Sequence, residues 1–106
     1  MLVVTSESVA NHRIVRTLGL VRGNTVRARH VGRDIMAGLR NIVGGEIHEY
    51  TKLMAESREQ TIDRMIAEAE QLGANAIIAT RFTTSVIVGG AAELLAAGTA
   101  VIIEPE

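Results

Sequence analysis

The sequence predicts an α+β fold in which one long helix covers one face of an antiparallel sheet, giving two layers. Strand-like segments lie at both ends of the 106-residue chain, and the helical segments lie between them. Hydrophobic residues make up 47% of the chain but aromatic residues only 2%, so the core must be aliphatic. The length is typical of one domain, and we therefore expect a single domain over residues 1–106.

The first third of the chain is expected to form strands. Residues 1–6, MLVVTS, indicate a short strand, and residues 14–31 are rich in β-forming side chains. Gly19 and Gly23 punctuate the second segment, and glycine in a strand is typical of a bulge or a hairpin turn. These glycines therefore predict an irregular or folded strand.

A short helix is predicted next, over residues 33–45. In RDIMAGLRNIVGG the apolar residues recur at spacings of one, three and four, which gives one apolar stripe. The pair Gly44 and Gly45 then ends the pattern, because glycine is the preferred residue just past a helix.

A longer helix is expected from about residue 47 to residue 72, ended by Gly73. The stripe weakens at Ser57 and Arg58, where we expect the aliphatic stem of Arg58 to lie along the core. The predicted inward-facing positions are Tyr50, Leu53, Met54, Ile62, Met65, Ile66, Ala69 and Leu72.

The last third predicts two strands with a glycine pair between them. Residues 75–88, NAIIATRFTTSVIV, form the first, and Gly89-Gly90 is expected to be a turn or bulge. Residues 91–97, AAELLAA, have a composition that also suits a helical turn. We predict a strand there, because the flanking glycines leave little room for a helix.

Composition excludes several classes of protein. The chain has no cysteine, which excludes disulfides, thiolate zinc sites and a cysteine nucleophile. Its first residues lack the pattern of a secretory signal. Residues 86–103 are apolar enough to suggest a membrane span, but Glu93 and three glycines interrupt them. We therefore expect a soluble, cytoplasmic protein.

Aliphatic residues are more abundant than a chain of this length can cover by itself. Apolar surface that remains exposed is usually an association surface, and we expect the protein to bind other copies of itself. The alternative is a monomer with ordinary scattered aliphatic residues on its surface.

Charge is divided unequally between the two halves. Residues 1–45 carry a net charge of +5 and residues 46–106 a net charge of −6. A basic half can indicate nucleic acid, but these arginines lack the interleaved aromatic residues on which single-stranded bases stack. A polar strand face or a charge-complementary seam between subunits explains the asymmetry, and we do not expect nucleic-acid binding.

The segment EIHE offers the best metal candidates, Glu46, His48 and Glu49. Imidazole and carboxylate suit a divalent metal, but ligands on a helix converge at spacings of three or four. His48 lies two residues from Glu46 and next to Glu49, so these side chains fan apart. We favour the alternative that the two glutamates stabilise the positive end of the helix dipole. His12 and His30 are the other histidines that can join such a site.

No catalytic set is evident. The pair Arg33-Asp34 favours a structural role in the first helical turn over a subunit contact. The glycine pairs lack the spacing of a phosphate loop, and no serine lies in a hydrolase motif. We therefore do not expect an enzyme.

Five segments in order resemble the YbjQ-like proteins, a bacterial and archaeal family labelled as heavy-metal-binding. They are LGLVRGNTV, RDIMAGLRNIVGG, EYTKLMAESREQTIDRM, QLGANAII and GTAVII, and they span residues 18–103. The resemblance implies a dodecin-like α+β subunit in a closed ring, a homopentamer, without established enzymatic activity. It also implies a metal site on the strand after the long helix, but here that strand contains Arg81 and no carboxylate.

The resemblance implies that the segment RNIVGGEIHEY connects two helices, as a joint between them, and helps to shape the ring. We expect this joint to contribute an interface or binding surface made of Arg33, Asp34, Gly44, Gly45 and Tyr50. Besides other copies of the chain, the expected partners are a small ligand or a protein. No cofactor is indicated other than a divalent metal.

Overall fold

The computed structural model describes residues 1–27, 45–87 and 91–106, without the side chains of residues 27, 45–51, 53, 86, 87 and 91. The elements in these ranges are β1 (Leu2–Val3), β2 (His12–Arg27), α1 (Gly45–Gln71), β3 (Ala76–Ile87) and β4 (Ala91–Pro105). The predicted α+β class is confirmed. Residues 91–97 are the beginning of strand β4 and not a helical turn, as predicted. The predicted short helix and the Gly89-Gly90 turn lie outside the described residues.

The four strands form one sheet in the order β1-β3-β4-β2. The long strands pair antiparallel, β2 with β4 and β3 with β4, as predicted. The short strand β1 instead runs parallel to β3, so the sheet is mixed. A parallel pair requires a long crossover, and β2 and α1 both lie between β1 and β3 in the chain.

The two glycines of β2 have different roles. Gly19 has a positive φ of 130° and lies at a register shift after Thr17, which confirms the predicted bulge. At Gly23 the register is continuous, so the prediction of a bulge or turn there is wrong. A Cβ at Gly23 would overlap the backbone oxygen of Thr61 and lie 2.5 Å from the nitrogen of Met65. The glycine allows α1 to lie directly on the strand.

The predicted apolar stripe of α1 largely faces the sheet. Met65 and Ala69 are fully buried, and Ile62, Ile66 and Met54 are half-buried. Tyr50 and Leu53 also lie on α1, with side chains outside the described set.

The prediction for Leu72 is wrong, since its side chain is 46% exposed. The helix ends at Gln71, and Gly73 turns the chain with a φ of 84°. The nitrogen of Gly73 donates to the oxygen of Glu70 at 3.0 Å, and that of Ala74 donates to the oxygen of Ala69 at 3.1 Å. This pair of bonds is a Schellman motif, as expected for a helix that ends before a glycine.

The prediction for Arg58 is also wrong. Arg58 is exposed, while Ser57 and Thr61 are fully buried against β2. These small side chains lie in phase with Met65, so they continue the stripe where larger apolar residues are missing. The close approach at Gly23 leaves no space there for the stem of an arginine.

Two hydrophobic clusters lie on opposite faces of the sheet. The cluster under α1 contains Val21, Met65, Ala69, Ile77, Ala96 and Ala100. The other contains Ala76, Ile78, Val101 and Ile103, and Val4 and Val9 pack against it. Residues 4–10, which follow β1, therefore form an N-terminal strap over one end of the face opposite α1. We call that face the open face.

The subunit is long and narrow. Its radius of gyration is 17.4 Å and its extents are 57 × 24 × 18 Å. A compact chain of this length has a radius of gyration of about 13 Å. The 16 residues of β2 and the 15 of β4 account for the long axis, because a strand rises roughly 3.3 Å per residue. In the described part of the chain, no helix is long and apolar enough to cross a membrane.

Candidate functional site

The outer edge of β2 is the most exposed apolar surface of the sheet. β2 is a terminal strand, and within the described residues no strand pairs with its outer side. Four of its large hydrophobic side chains are exposed: Ile14, Val15, Leu20 and Val26. Leu20 has the largest exposed fraction, 66%. A long edge strand with exposed hydrophobic side chains is a template for pairing with another chain.

The opposite edge of the sheet is also partly open. β1 pairs only with Ala76 and Ile77, so among the described residues no strand pairs with the outer side of β3 beyond Arg81. Phe82 lies in this part of β3 and is 50% exposed. The sheet therefore has two unlike open edges, one on β2 and one on the second half of β3.

Phe82 forms one wall of an open groove between β3 and α1. Charged residues of the helix line the other wall, together with Ala55, Gln60 and Ile62. The charged residues are Lys52, Glu56, Arg58, Glu59 and Asp63. Carboxylates and basic groups nearly balance, so the groove does not select for a strongly charged ligand.

A buried polar contact fixes α1 on β2. The hydroxyl of Thr61 donates to the carbonyl oxygen of Ser57 at 2.8 Å, and the Oγ1 atoms of Thr61 and Thr25 are 2.8 Å apart. The Oγ1 atom of Thr25 also lies 3.4 Å from the carbonyl oxygen of Ser57, so both hydroxyls meet at that oxygen. All three residues are at most 3% exposed. Sequence inspection missed this contact, although the i,i+4 spacing of two small hydroxyl residues within an apolar stripe was a usable signal.

The N-terminal strap is held to a bulge in β3. The register of β3 and β4 shifts between Ile78 and Arg81, and Ala79 has a positive φ of 53°. The nitrogens of Ala79 and Thr80 donate to strap carbonyls, at 2.8 Å and 3.1 Å. Arg81 adds a bond from Nη1 to the carbonyl of Thr5, also 2.8 Å long. These bonds fix the position of Arg81 on the open face.

An ion pair joins the first residues of β2 to the last residues of β4, at Arg13 and Glu104. Arg13 donates to Glu104 from Nε, at 2.9 Å, and from Nη2. Both side chains are substantially exposed, so the pair contributes about 0–1 kcal/mol. It positions the strand ends and is not part of a catalytic arrangement.

The predicted site residues are only partly within the described structure. Arg33, Asp34 and Gly44 lie outside the described residues, as does His30. Gly45 is the first residue of α1, and the short helix that it is predicted to end lies outside the described residues. Tyr50 lies in the second turn of α1, and its side chain is outside the described set. Their predicted role in an interface stays a prediction.

The metal candidates Glu46, His48 and Glu49 all lie at the start of α1. Because a helix turns 100° per residue, positions 46 and 48 are about 200° apart around the axis. Among the side chains that the structure describes, no three histidine or acidic residues are close enough to hold a metal ion. His12 uses Nδ1 in a 2.8 Å contact with the carbonyl of Ala10.

These donors do not fit a heavy metal well. Soft metals favour thiolate ligands, and the chain has no cysteine. Metal binding by Glu46, His48 and Glu49 within one subunit therefore gains no support from the fold. It stays a prediction.

The fold and the surfaces described above define a class: a small α+β subunit with open sheet edges. The family model described as “Putative heavy-metal-binding” matches residues 1–104 of the chain. The chain belongs to this YbjQ-like family.

Curated relatives agree with the family model over almost their whole length. A UPF0145 protein of Dehalococcoides mccartyi is 57% identical over 104 residues, which are 98% of this chain and 100% of the relative. A UPF0145 protein of Methanosarcina acetivorans is 50% identical and covers 97% of each chain. A UPF0145 protein of Thermococcus kodakarensis is 52% identical over 106 residues, which are 100% of this chain and 94% of the relative. Relatives thus occur in both bacteria and archaea.

A solved structure supports the fold independently. A protein of unknown function from Pediococcus pentosaceus, of the DUF74 family, superimposes with a TM-score of 0.66. The two chains are 15% identical, and 98% of each is covered. Because the sequence identity is only 15%, this similarity supports the fold alone.

Proposed function

We propose that this protein is a non-enzymatic subunit of a closed homo-oligomeric ring, a pentamer, that holds a small ligand or a protein partner at its subunit interfaces. The observation that supports this most is the shape of the single chain. An 11.3 kDa chain with a radius of gyration of 17.4 Å is too extended for an ordinary monomer.

The accessible surface leads to the same conclusion. The chain exposes 7161 Å², whereas a folded monomer of its mass exposes about 5,700 Å². The excess is about 1,400 Å², and a stable interface buries roughly 800 Å² per partner. An excess of this size supports burial of part of the surface against other copies of the chain.

The positions of the open edges favour a ring over a symmetric dimer. In a dimer with two-fold symmetry the same edge of both copies meets, whereas a head-to-tail contact joins unlike edges and gives a ring when the rotation between copies closes. Among the described residues, the sheet has unlike open edges on opposite sides, on β2 and on the second half of β3. Pairing β2 of one copy with β3 of the next would cover Leu20, Val26 and Phe82.

Light scattering on an edge variant tests the proposed interface. Leu20→Lys combined with Val26→Lys places two charges on the exposed side of β2, where charges are costly to bury. We expect this variant to run as a monomer of about 11 kDa, while the wild type runs as an oligomer. The matched control Ala67→Lys adds a charge at an exposed position of α1 and should leave the mass unchanged.

A wild-type oligomer that is unaffected by the paired lysines would exclude β2 as the interface. A monomeric wild type at micromolar concentration would exclude the assembly itself. The ligand part is tested separately by a thermal-shift screen, because a ligand that binds the folded state raises the melting temperature.

The second candidate function is metal binding, which is favoured by the description of the matching family. Calorimetric titration with zinc, copper and nickel on the wild type and on His48→Ala decides it. Metal binding at this site requires measurable affinity that His48→Ala weakens by about tenfold, as loss of one good ligand would. Absence of affinity, or equal affinity in both proteins, rejects the site.

A further inference from the structure

Two arginines flank one alanine in a row across the sheet. Arg22 of β2 and Arg81 of β3 are both register partners of Ala97 on β4. Neighbouring strands are about 4.8 Å apart, so the two arginine backbones are about 10 Å apart with β4 between them. Arg81 is held toward the strap by its bond to Thr5, while the side chain of Arg22 is long enough to extend above the methyl group of Ala97.

Both arginines lie on the open face. The residues on either side of Arg22, Val21 and Gly23, are buried beneath α1, and side chains alternate along a strand. Arg81 donates to Thr5 of the strap, and the strap covers the face opposite α1. Ala97 lies between the buried residues Ala96 and Gly98, so it also faces away from the helix.

The charges of this pair are not neutralised within the described residues. Arg22 is exposed and has no hydrogen-bond or ion-pair partner there. Arg81 bonds only to carbonyl oxygens, those of Thr5 and Thr80, which carry no net charge. The acidic residue of β4 on this face, Glu93, is four residues from Ala97, or roughly 13 Å at the rise of a strand.

Because the side chain of Ala97 is a single methyl group, we expect the surface between the two arginine backbones to form a depression. Thr99 lies two residues further along β4, and Thr83 lies two residues beyond Arg81 on β3, so both hydroxyls are on the same face. Two arginines and two threonines therefore lie around Ala97 on this face, together with Leu20, Asn24 and Leu95. The arginine and threonine side chains can donate hydrogen bonds to an anion.

We propose that the depression over Ala97 binds the phosphate group of a small molecule between Arg22 and Arg81. Nη1 of Arg81 is used by the carbonyls of Thr5 and Thr80, so its Nε and Nη2 remain to donate two parallel bonds, as the guanidinium of Arg22 can. One carboxylate is already saturated by a single such pair of bonds. A phosphate has enough oxygens for two such forks and for a threonine hydroxyl. All of these residues belong to one subunit, and Arg22 lies between Leu20 and Val26 on the same face of β2, so its exposure is that of the free subunit.

Titration with inorganic phosphate, followed by 31P NMR at constant ionic strength, tests the proposal. We expect saturable binding to the wild type and about tenfold weaker binding to Arg22→Gln, since a charge-assisted bond contributes a factor of this size. Arg58→Gln is the matched control, because it removes one exposed positive charge from α1 and should not change the affinity.

A second variant fills the site from within. Ala97→Glu places a carboxylate between the two arginines, and we expect it to abolish phosphate binding while the melting temperature stays at or above that of the wild type. Arg22→Gln remains decisive if Ala97→Glu does not fold, because Arg22 makes no contact that the fold needs.

Three results would overturn the proposal. Absence of saturable binding to the wild type rejects the site. Equal weakening by Arg22→Gln and Arg58→Gln shows that only the general charge of the protein attracts phosphate. Equal affinity for acetate and phosphate at the same ionic strength assigns the depression to a carboxylate group instead.

Discussion

At the scale of single residues, Gly23 has the greatest influence on how the layers meet. Its missing side chain allows the backbone of α1 at Thr61 and Met65 to lie on β2. The carbonyl of the next residue, Asn24, accepts a 2.6 Å bond from Arg64 of the helix. Helix and strand are therefore joined by backbone contact as well as by side-chain packing.

Substitution of Gly23 by alanine should destabilise the protein. The new Cβ would meet backbone atoms, which cannot rotate away, so α1 has to shift. We expect Gly23→Ala to lower the free energy of unfolding by about 1–3 kcal/mol, as overpacking usually does.

Urea denaturation at a fixed protein concentration measures this change. The neighbouring variant Asn24→Ala is the control, and its effect should stay within about 0.5 kcal/mol because the side chain is exposed. If Gly23→Ala is as stable as the control, the close approach of helix and strand is wrong.

The residues also show what sequence patterns can and cannot predict. Gly19 and Gly73 were assigned correctly, because a bulge and a helix end are local features. Gly23 was misassigned, since its role depends on Thr61, 38 positions away in the chain. The same limit applies to the Arg22–Ala97–Arg81 row, which exists only once the register of three strands is known.

At the scale of elements, the contact between Thr25 and Thr61 sets how α1 is aligned along β2. An apolar stripe alone allows a helix to slide, because apolar contacts are not directional. The hydroxyl pair is directional and is excluded from water, so the aligned position is favoured.

A double-mutant cycle measures this contribution. Thr25→Val and Thr61→Val each remove the bond between the two buried hydroxyls and leave the other with the carbonyl of Ser57, and each should cost about 1 kcal/mol. The double variant removes both groups, so its cost should be smaller than the sum by about 1 kcal/mol.

Thr84→Val, at an exposed position of β3, serves as the control and should change stability little. Costs that add to within about 0.3 kcal/mol would show that the two hydroxyls are independent. The proposed alignment of α1 on β2 would then be incorrect.

The elements themselves were largely predictable. Strand composition and helix periodicity indicated β1, β2, α1, β3 and β4 in the correct order, because both are local properties. The parallel pairing of β1 with β3 was not foreseen, since two residues carry no signal for direction. The helix stripe was predicted where it is apolar and missed at Ser57 and Thr61, where small polar residues are buried.

At the scale of the whole molecule, the family and the α+β class can be predicted from the sequence. The positions of the exposed hydrophobic edges can be known only from the structure. Excess aliphatic content predicts association without saying where it occurs. The structure places the exposed hydrophobic side chains on β2 and β3, at unlike edges of one sheet. Shape and excess surface then make a head-to-tail ring the arrangement with the most support.

The mass of the native particle tests this central claim most directly. Native mass spectrometry of the wild-type protein at micromolar concentration should give one dominant species of about 57 kDa, five times the 11.3 kDa of a single chain. A dominant species at the mass of one chain or of two chains would contradict the ring.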